Sequence, residues 1–237
     1  MFAHIRQITF DLDDTLWPCH EVIRAAEAEC YAWLESAAPR LTARHTLEQL
    51  RAHRLALGEA RAEIAHDMTE VRLRSLAELL AAEGYPLSVA QAASDVFRAA
   101  RNRVTPFEEV LEALERLRPH FTLISVTNGN SQIEHTPLHA SFHYSLTAAE
   151  VGAAKPHPAI FHAASARSGL PLESTLHVGD DPVRDIGAAR DIGLTTVWVN
   201  RYGQDWPQAL PRADLEVGHI GDLVERLLGL ARAGRTG

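Results

Sequence analysis

The strongest constraint on this chain is a rhythm that sets in after residue 105. Short β-type runs at 121–126 (FTLISV), 145–146, 175–178 (TLHV) and 195–199 (TTVWV) alternate with helix-length patterns at 107–117, 158–169, 182–192 and 220–231. Pro106 stands at the start of the first helical pattern, and Gly169 and Gly193 stand at the ends of the next two, where such residues serve best. Strand–helix pairs of this length imply a parallel sheet with helices on both faces. One further β-type run, 5–10, stands alone near the beginning. Between it and the rest, residues 21–103 are rich in Ala, Leu, Glu and Arg and poor in β-branched residues, which favours helix. Breaks near Ala38-Pro39, Gly58 and Gly84-Tyr85-Pro86 divide this stretch into helices, and Val71, Leu73, Leu76, Leu79 and Leu80 form an apolar stripe on one of them. The expectation is an α/β fold. A Rossmann-like core is built from residues 1–16 and 104–237, and an all-helical domain, 17–103, is inserted after the first strand. The terminal Ala233-Gly-Arg-Thr-Gly237 reads as a loose tail.

Ligands of an open parallel sheet bind beyond the carboxyl ends of its strands. Asp11 and Asp13 follow the first run, and Thr127 and Asn128 follow FTLISV. Lys155 precedes the helix at 158–169, and Gly179, Asp180, Asp181 and Asp185 follow TLHV. Several carboxylates on one rim repel each other unless a cation neutralises them. Mg²⁺ suits such a rim because it takes a few carboxylates and completes its shell with water and phosphate oxygens. Lys155 adds a fixed positive charge, and Thr127 and Asn128 add hydrogen-bond donors. Together they describe a place for a phosphoryl group, whose transfer depends mainly on positioning and charge stabilisation.

Asp11-Leu12-Asp13-Asp14-Thr15, then Thr127-Asn128, then Lys155-Pro156, then Gly179-Asp180-Asp181 with Asp185, resemble the four ordered motifs of the haloacid dehalogenase superfamily. The resemblance implies a Mg²⁺-dependent phosphatase acting on a small-molecule phosphomonoester, with the helical insertion as its cap. Asp11 would be the nucleophile and Asp13 the acid and base. Thr127 and Asn128 would bind phosphoryl oxygens, and Lys155 would hold Asp11 and the phosphate. Asp11, Asp180 and the backbone carbonyl of Asp13 would hold the metal, with Asp185 behind them or acting through water. The acid at position 13 disfavours the namesake dehalogenation, in which halide leaves unprotonated. A sugar phosphomutase and a catalytically silent binding protein of the same fold are the other readings.

Glu63-Ile-Ala-His-Asp-Met-Thr69 with Arg72-Leu-Arg-Ser75, Thr127-Asn-Gly-Asn130 and Leu176-His-Val-Gly-Asp-Asp181 resemble the YigB-like branch. That likeness implies a ribityl phosphate carrying a planar heterocycle, either flavin mononucleotide or 5-amino-6-(5-phospho-D-ribitylamino)uracil. His66, Asp67 and Arg72 of the cap and Trp17 beside the first strand are the candidate contacts to the ring, with His66, Arg72 and Trp17 placed first.

The net charge is −8, which argues against nucleic acid or an anionic membrane as partner. No apolar run is long enough to span a bilayer. Residues 1–10 lack the features of a signal peptide. Cys19 and Cys30 form no CxxC and read as reduced thiols. The expected location is the cytoplasm. Thr15 is expected to close the turn after the first strand, and Trp33 and Trp198 to be core. His135, His139 and His143 recur every four residues, but Pro137 interrupts them, so a zinc face is not expected.

Overall fold

In the computed structural model, residues 2–233 are described. Of the expected tail at 233–237, Ala233 instead ends a helix and 234–237 lie outside the described residues. The chain divides into two compact units. The first comprises Met1–Pro18, Thr105–Thr127 and Pro137–Gly237, and the second Cys19–Val104 with Asn128–Thr136.

The first unit is built on a parallel sheet of six strands among the described residues: β1 Gln7–Phe10, β2 Thr122–Thr127, β3 Tyr144–Thr147, β4 Thr175–Gly179, β5 Thr195–Val199 and β6 Leu215–Val217. Their spatial order is β3-β2-β1-β4-β5-β6, and every adjacent pair is parallel. β1 lies in the middle of the sheet and is buried throughout. Polar Gln7 and Thr9 alternate with Ile8 and Phe10, yet all four are buried because the strand is covered on both faces; Gln7 donates to Thr175 Oγ1 and Thr9 Oγ1 meets His177 Nδ1. Ile124 and Val126 of β2, Leu146 of β3, and Ile160, Phe161 and Ala164 of a helix at Ala159–Ser168 form one contiguous core layer with Ala188, Ala189 and Leu194.

The second unit holds α1 Cys19–Ala37, α2 Pro39–Thr42, α3 Leu47–Ala60, α4 Met68–Ala82 and α5 Leu87–Arg101. α1 packs on α5, and α4 packs on both α5 and α3. Their shared interior is Ala26, Cys30, Leu34, Leu50, Leu76, Leu80, Ala93 and Phe97. Gly58 does not break the chain as its residue type suggested. It sits inside α3, where a side chain would only touch Val71. The helix ends instead at Ala60, with Arg61 as its C-cap, and Asp67 restarts the chain as α4 by accepting from the backbone N–H groups of Thr69 (2.9 Å) and Glu70 (3.0 Å). An N-cap carboxylate satisfies two amides that the helix itself leaves without partners. Neither cysteine forms a disulfide, and the Cys30 thiol donates to the carbonyl of Ala93.

The helices of the first unit are α6 Val110–Leu117, α7 Ala148–Val151, α8 Ala159–Ser168, α9 Ala188–Arg190 and α10 Ile220–Ala233. α6 precedes β2 and packs on α10. The helix expected over 182–192 is two pieces: a wide π-type turn over Pro182–Gly187, then the short α9. β6 is a strand that the sequence did not announce. No helix among the described residues is long and apolar enough to cross a membrane.

Candidate active site

The direction of the sheet's connections reverses at β1, with β2 and β3 on one side and β4, β5 and β6 on the other. A parallel sheet leaves a crevice at such a switch point, outside the carboxyl ends of its strands. Register decides what stands there. Phe10 pairs with Ser125 of β2 and with Val178 of β4. The next residue, Asp11, therefore comes level with Val126 and Gly179, and its backbone N–H donates to the carbonyl of Val178 at 2.9 Å.

Lys155 reaches this point from the loop between α7 and α8. Its ammonium group donates to Asp11 Oδ1 (2.6 Å), Asp185 Oδ1 (2.7 Å) and the carbonyl of Val126 (3.0 Å). The lysine is 3% exposed, so these three acceptors replace water around the charge. Burial alone would lower its pKa, but Asp11 and Asp185 hold it above the ordinary lysine value. Asp185 enters from the turn after β4. Its Oδ2 accepts from the N–H of Asp181 (3.1 Å), and its Oδ1 also faces His177 Nε2 at 3.3 Å. Burial would raise its pKa, but Lys155 and His177 outweigh that and hold the carboxyl well below the usual range. Such a close approach is possible because residue 179 is glycine. A Cβ there would stand 2.4 Å from the Asp185 carboxyl carbon.

Asp180 completes the group. Thr15 Oγ1 donates to Asp180 Oδ1 at 3.1 Å and lies 3.4 Å from Asp11 Oδ2, while the Trp198 indole N–H donates to the Asp180 carbonyl at 2.7 Å. Carboxylate oxygens of Asp11, Asp180 and Asp185 lie within 4.8 Å of one another. The Lys155 ammonium bonds two of the three carboxylates, Asp11 and Asp185, so one cation faces three acids. Burial, and after it Asp185, pushes Asp180 up to about 7. Burial also drives Asp11 well above its ordinary value, against the pull of Lys155 and reinforced by Asp185 and Asp180. A buried oxygen set with excess negative charge fits a hard divalent cation such as Mg²⁺, which would relieve the repulsion.

Asp13 stands two residues past Asp11 in a tight loop. Asp14 has a φ of 60°, its N–H donates to the Trp17 carbonyl (2.8 Å), and the N–H of Leu16 donates to the carbonyl of Leu12 (2.8 Å). Thr127 closes β2 and is buried. Asn128 opens the segment that groups with the helical unit.

The proposed ring contacts fare differently from the carboxylates. Trp17 is 0% exposed; both its faces are covered, so it cannot stack on a substrate ring as expected. Its indole N–H instead donates to Asp13 Oδ1 at 2.8 Å. The Arg72 side chain is 11% exposed, lies 3.3 Å over the Phe97 ring and sits 3.7 Å from Glu27. It belongs to the interior of the helical unit, so its expected role as a ring contact is also corrected. His66 is half-buried in the link before α4. His135, His139 and His143 form no metal-ligating group among the described residues.

His177, Thr15 and Trp198 are the partners that sequence reasoning missed. His177 Nδ1 meets Thr9 Oγ1 at 2.9 Å, so a buried chain Thr9–His177–Asp185–Lys155–Asp11 runs through the sheet. A histidine in the middle of an otherwise apolar strand was its only signal. Thr15 does more than close its turn, and Trp198 is buried but bonded to the site.

A model of the haloacid dehalogenase-like hydrolases matches residues 5–193. The 5-amino-6-(5-phospho-D-ribitylamino)uracil phosphatase YigB of Escherichia coli (strain K12) is 32% identical over 230 residues, covering 93% of this chain and 95% of its own. The phosphoserine phosphatase of Thermus thermophilus is 30% identical over 207 residues, covering 83% and 78%. Among solved structures, a 2-haloacid dehalogenase from Pseudomonas syringae pv. Tomato DC3000 superposes with a TM-score of 0.88 at 35% identity, over 95% of this chain and 99% of that one. With the family model spanning most of the chain, and a relative alike along nearly its whole length, this protein belongs to the haloacid dehalogenase-like hydrolases.

Proposed function

We propose that the protein is a Mg²⁺-dependent phosphatase that hydrolyses a small phosphomonoester through an aspartyl-phosphate on Asp11, in a reducing, cytoplasmic setting that suits two cysteines outside any disulfide. The observation that carries the reading is the convergence of Asp11, Lys155, Asp180 and Asp185 at one strand end, with an acid, Asp13, two residues on. Asp11, Asp180 and the backbone carbonyl of Asp13 would hold the metal, with Asp185 engaged behind them. The metal would supply positive charge against the phosphoryl oxygens. Lys155 keeps the nucleophilic oxygen of Asp11 in place and adds its own charge, while Thr127 and Asn128 donate to the phosphoryl group.

In the first step an Asp11 oxygen forms a bond to phosphorus as the bond to the ester oxygen breaks, and Asp13 gives its proton to that leaving oxygen. Asp13 then takes a proton from water as the water attacks phosphorus. Inorganic phosphate leaves and Asp11 is restored. The likeness to YigB favours a ribityl phosphate, either the ribitylaminouracil ester or flavin mononucleotide, with His66 the remaining candidate for contact with the ring.

Dehalogenation of a 2-haloacid is the second reading, favoured by the similarity to the Pseudomonas syringae dehalogenase. There Asp11 would attack carbon, and Asp13 would have no leaving oxygen to protonate. The test is a panel assayed with Mg²⁺: flavin mononucleotide, the ribitylaminouracil phosphate, phosphoserine, an aryl phosphate and 2-chloropropionate. Phosphate release that Asp11→Asn and EDTA both abolish supports the phosphatase. Chloride release without phosphate release would replace it with the dehalogenase.

A further inference from the structure

We infer that Trp17 is a positioning residue for acid–base catalysis, its indole N–H aiming the Asp13 carboxyl at the leaving oxygen. The inference rests on the phosphatase reading and goes beyond it. The indole nitrogen is 2.8 Å from Asp13 Oδ1, a well-formed hydrogen bond. The ring is fully buried, so the donor is held by packing on all sides and cannot swing away. The loop between the two residues is tied as well: Asp13 and Trp17 pair across an isolated parallel bridge, and Asp14 N–H donates to the Trp17 carbonyl. Backbone and side chain therefore fix position 13 against position 17 by separate bonds.

The chemistry explains why a donor that cannot ionise is useful there. A carboxylate and a neutral carboxylic acid both accept at Oδ1, the neutral acid through its carbonyl oxygen. The indole N–H cannot accept a proton. The bond can therefore hold the carboxyl in one orientation throughout the reaction. Leaving-group protonation needs this alignment most when the departing alkoxide is poor, because a good leaving group departs without the proton.

Trp17→Phe keeps the ring packing and removes only the donor. The comparison uses kcat/KM, which covers the steps up to departure of the leaving group, measured with Mg²⁺ on an alkyl phosphate and on p-nitrophenyl phosphate. The expected result is a fall of about 10–100-fold on the alkyl phosphate, part of the usual general-acid contribution, and a change of about threefold or less on the nitrophenyl ester. An equal loss on both substrates would mark Trp17 as merely structural and overturn the inference, and so would no loss on either. Should Trp17→Phe not fold, β-benzothienylalanine at position 17, which has the indole shape with sulfur in place of N–H, carries the same expectations. If the wild-type protein releases no phosphate from either ester, the phosphatase reading fails and takes this inference with it. A wild-type enzyme that is active and insensitive to Trp17→Phe refutes the inference alone.

Discussion

Gly179→Ala is the smallest change that should disable this site without touching a reactive group. A Cβ at position 179 would lie 2.4 Å from Asp185 Cγ, 2.5 Å from its Oδ2 and 2.6 Å from its Cβ. Non-bonded carbons rest at roughly 3.5–4.0 Å, so the overlap exceeds about 1 Å. Asp185 cannot yield cheaply, because its two oxygens are held by Lys155, His177 and the Asp181 amide. Moving it sacrifices at least the charged bond to Lys155, and such bonds contribute about 1.5–3 kcal/mol each. A buried ion pair broken from one side costs about 3–5 kcal/mol, and that range is the expected loss of stability. Lys155 would follow Asp185, and misplacement of about 1 Å at a reacting group costs on the order of 100-fold in rate. Urea unfolding reads the first quantity and phosphate release the second. Asp185→Gly provides the control, since it removes the atoms that collide: in that background Gly179→Ala should cost less than about 1 kcal/mol, giving a large coupling in the double-mutant cycle. A Gly179→Ala protein within about 0.5 kcal/mol of wild type, or one showing the same loss in both backgrounds, would refute the packing argument.

Other expectations follow from the same contacts. Asp180 is pushed up to about 7, so the contribution of its protonated form to stability is complete below the unfolded carboxyl value of about 4 and is lost as pH rises through 7. Metal-free protein should therefore weaken between about pH 4 and pH 7. Mg²⁺ should raise the melting temperature more at pH 8 than at pH 5, and equal increments would contradict this. Glu27 is buried among Arg51, Arg54 and Arg72; Glu27→Leu leaves the guanidinium groups without their anion and should cost about 3–5 kcal/mol in urea unfolding. Asp67→Ala removes the cap of α4 and should cost about 1 kcal/mol while leaving KM unchanged. A raised KM with unchanged stability would instead make Asp67 a substrate contact. His66→Ala should raise KM for flavin mononucleotide and spare an aryl phosphate, and equal effects on both would exclude a role in ring recognition.

Much of the core was legible because its signals are local. Continuous apolar runs bounded by Gly and Pro mark β2, β4 and β5 within a residue or so. β6 escaped because it is three residues long at the edge of the sheet, with Glu216 exposed in its middle, and so few residues carry no period. The helix expected over 182–192 misread a place where tertiary demands prevail. Asp181 caps the turn by accepting from the amides of Val183 and Arg184, and the wide winding after it places Asp185 inward against Gly179. Gly58 was read by its type alone, although a glycine within a helix is tolerated when packing supplies the stability.

The sequence by itself determined which chemical groups follow which strands. Asp11, Lys155 and Asp180 were identifiable because a parallel sheet exposes only its strand ends, and the polar residues stand at those ends in order. Only the tertiary structure decided their partners. Parallel register brought Asp11 level with Val126 and Gly179, and burial turned Trp17 from a candidate platform for a substrate ring into a donor to Asp13. Burial likewise enclosed Arg72 within the helical unit. The reason is physical: strand and helix patterns depend on neighbours a few residues away, whereas burial and hydrogen-bond partners depend on segments more than a hundred residues distant, as Lys155 is from Asp11.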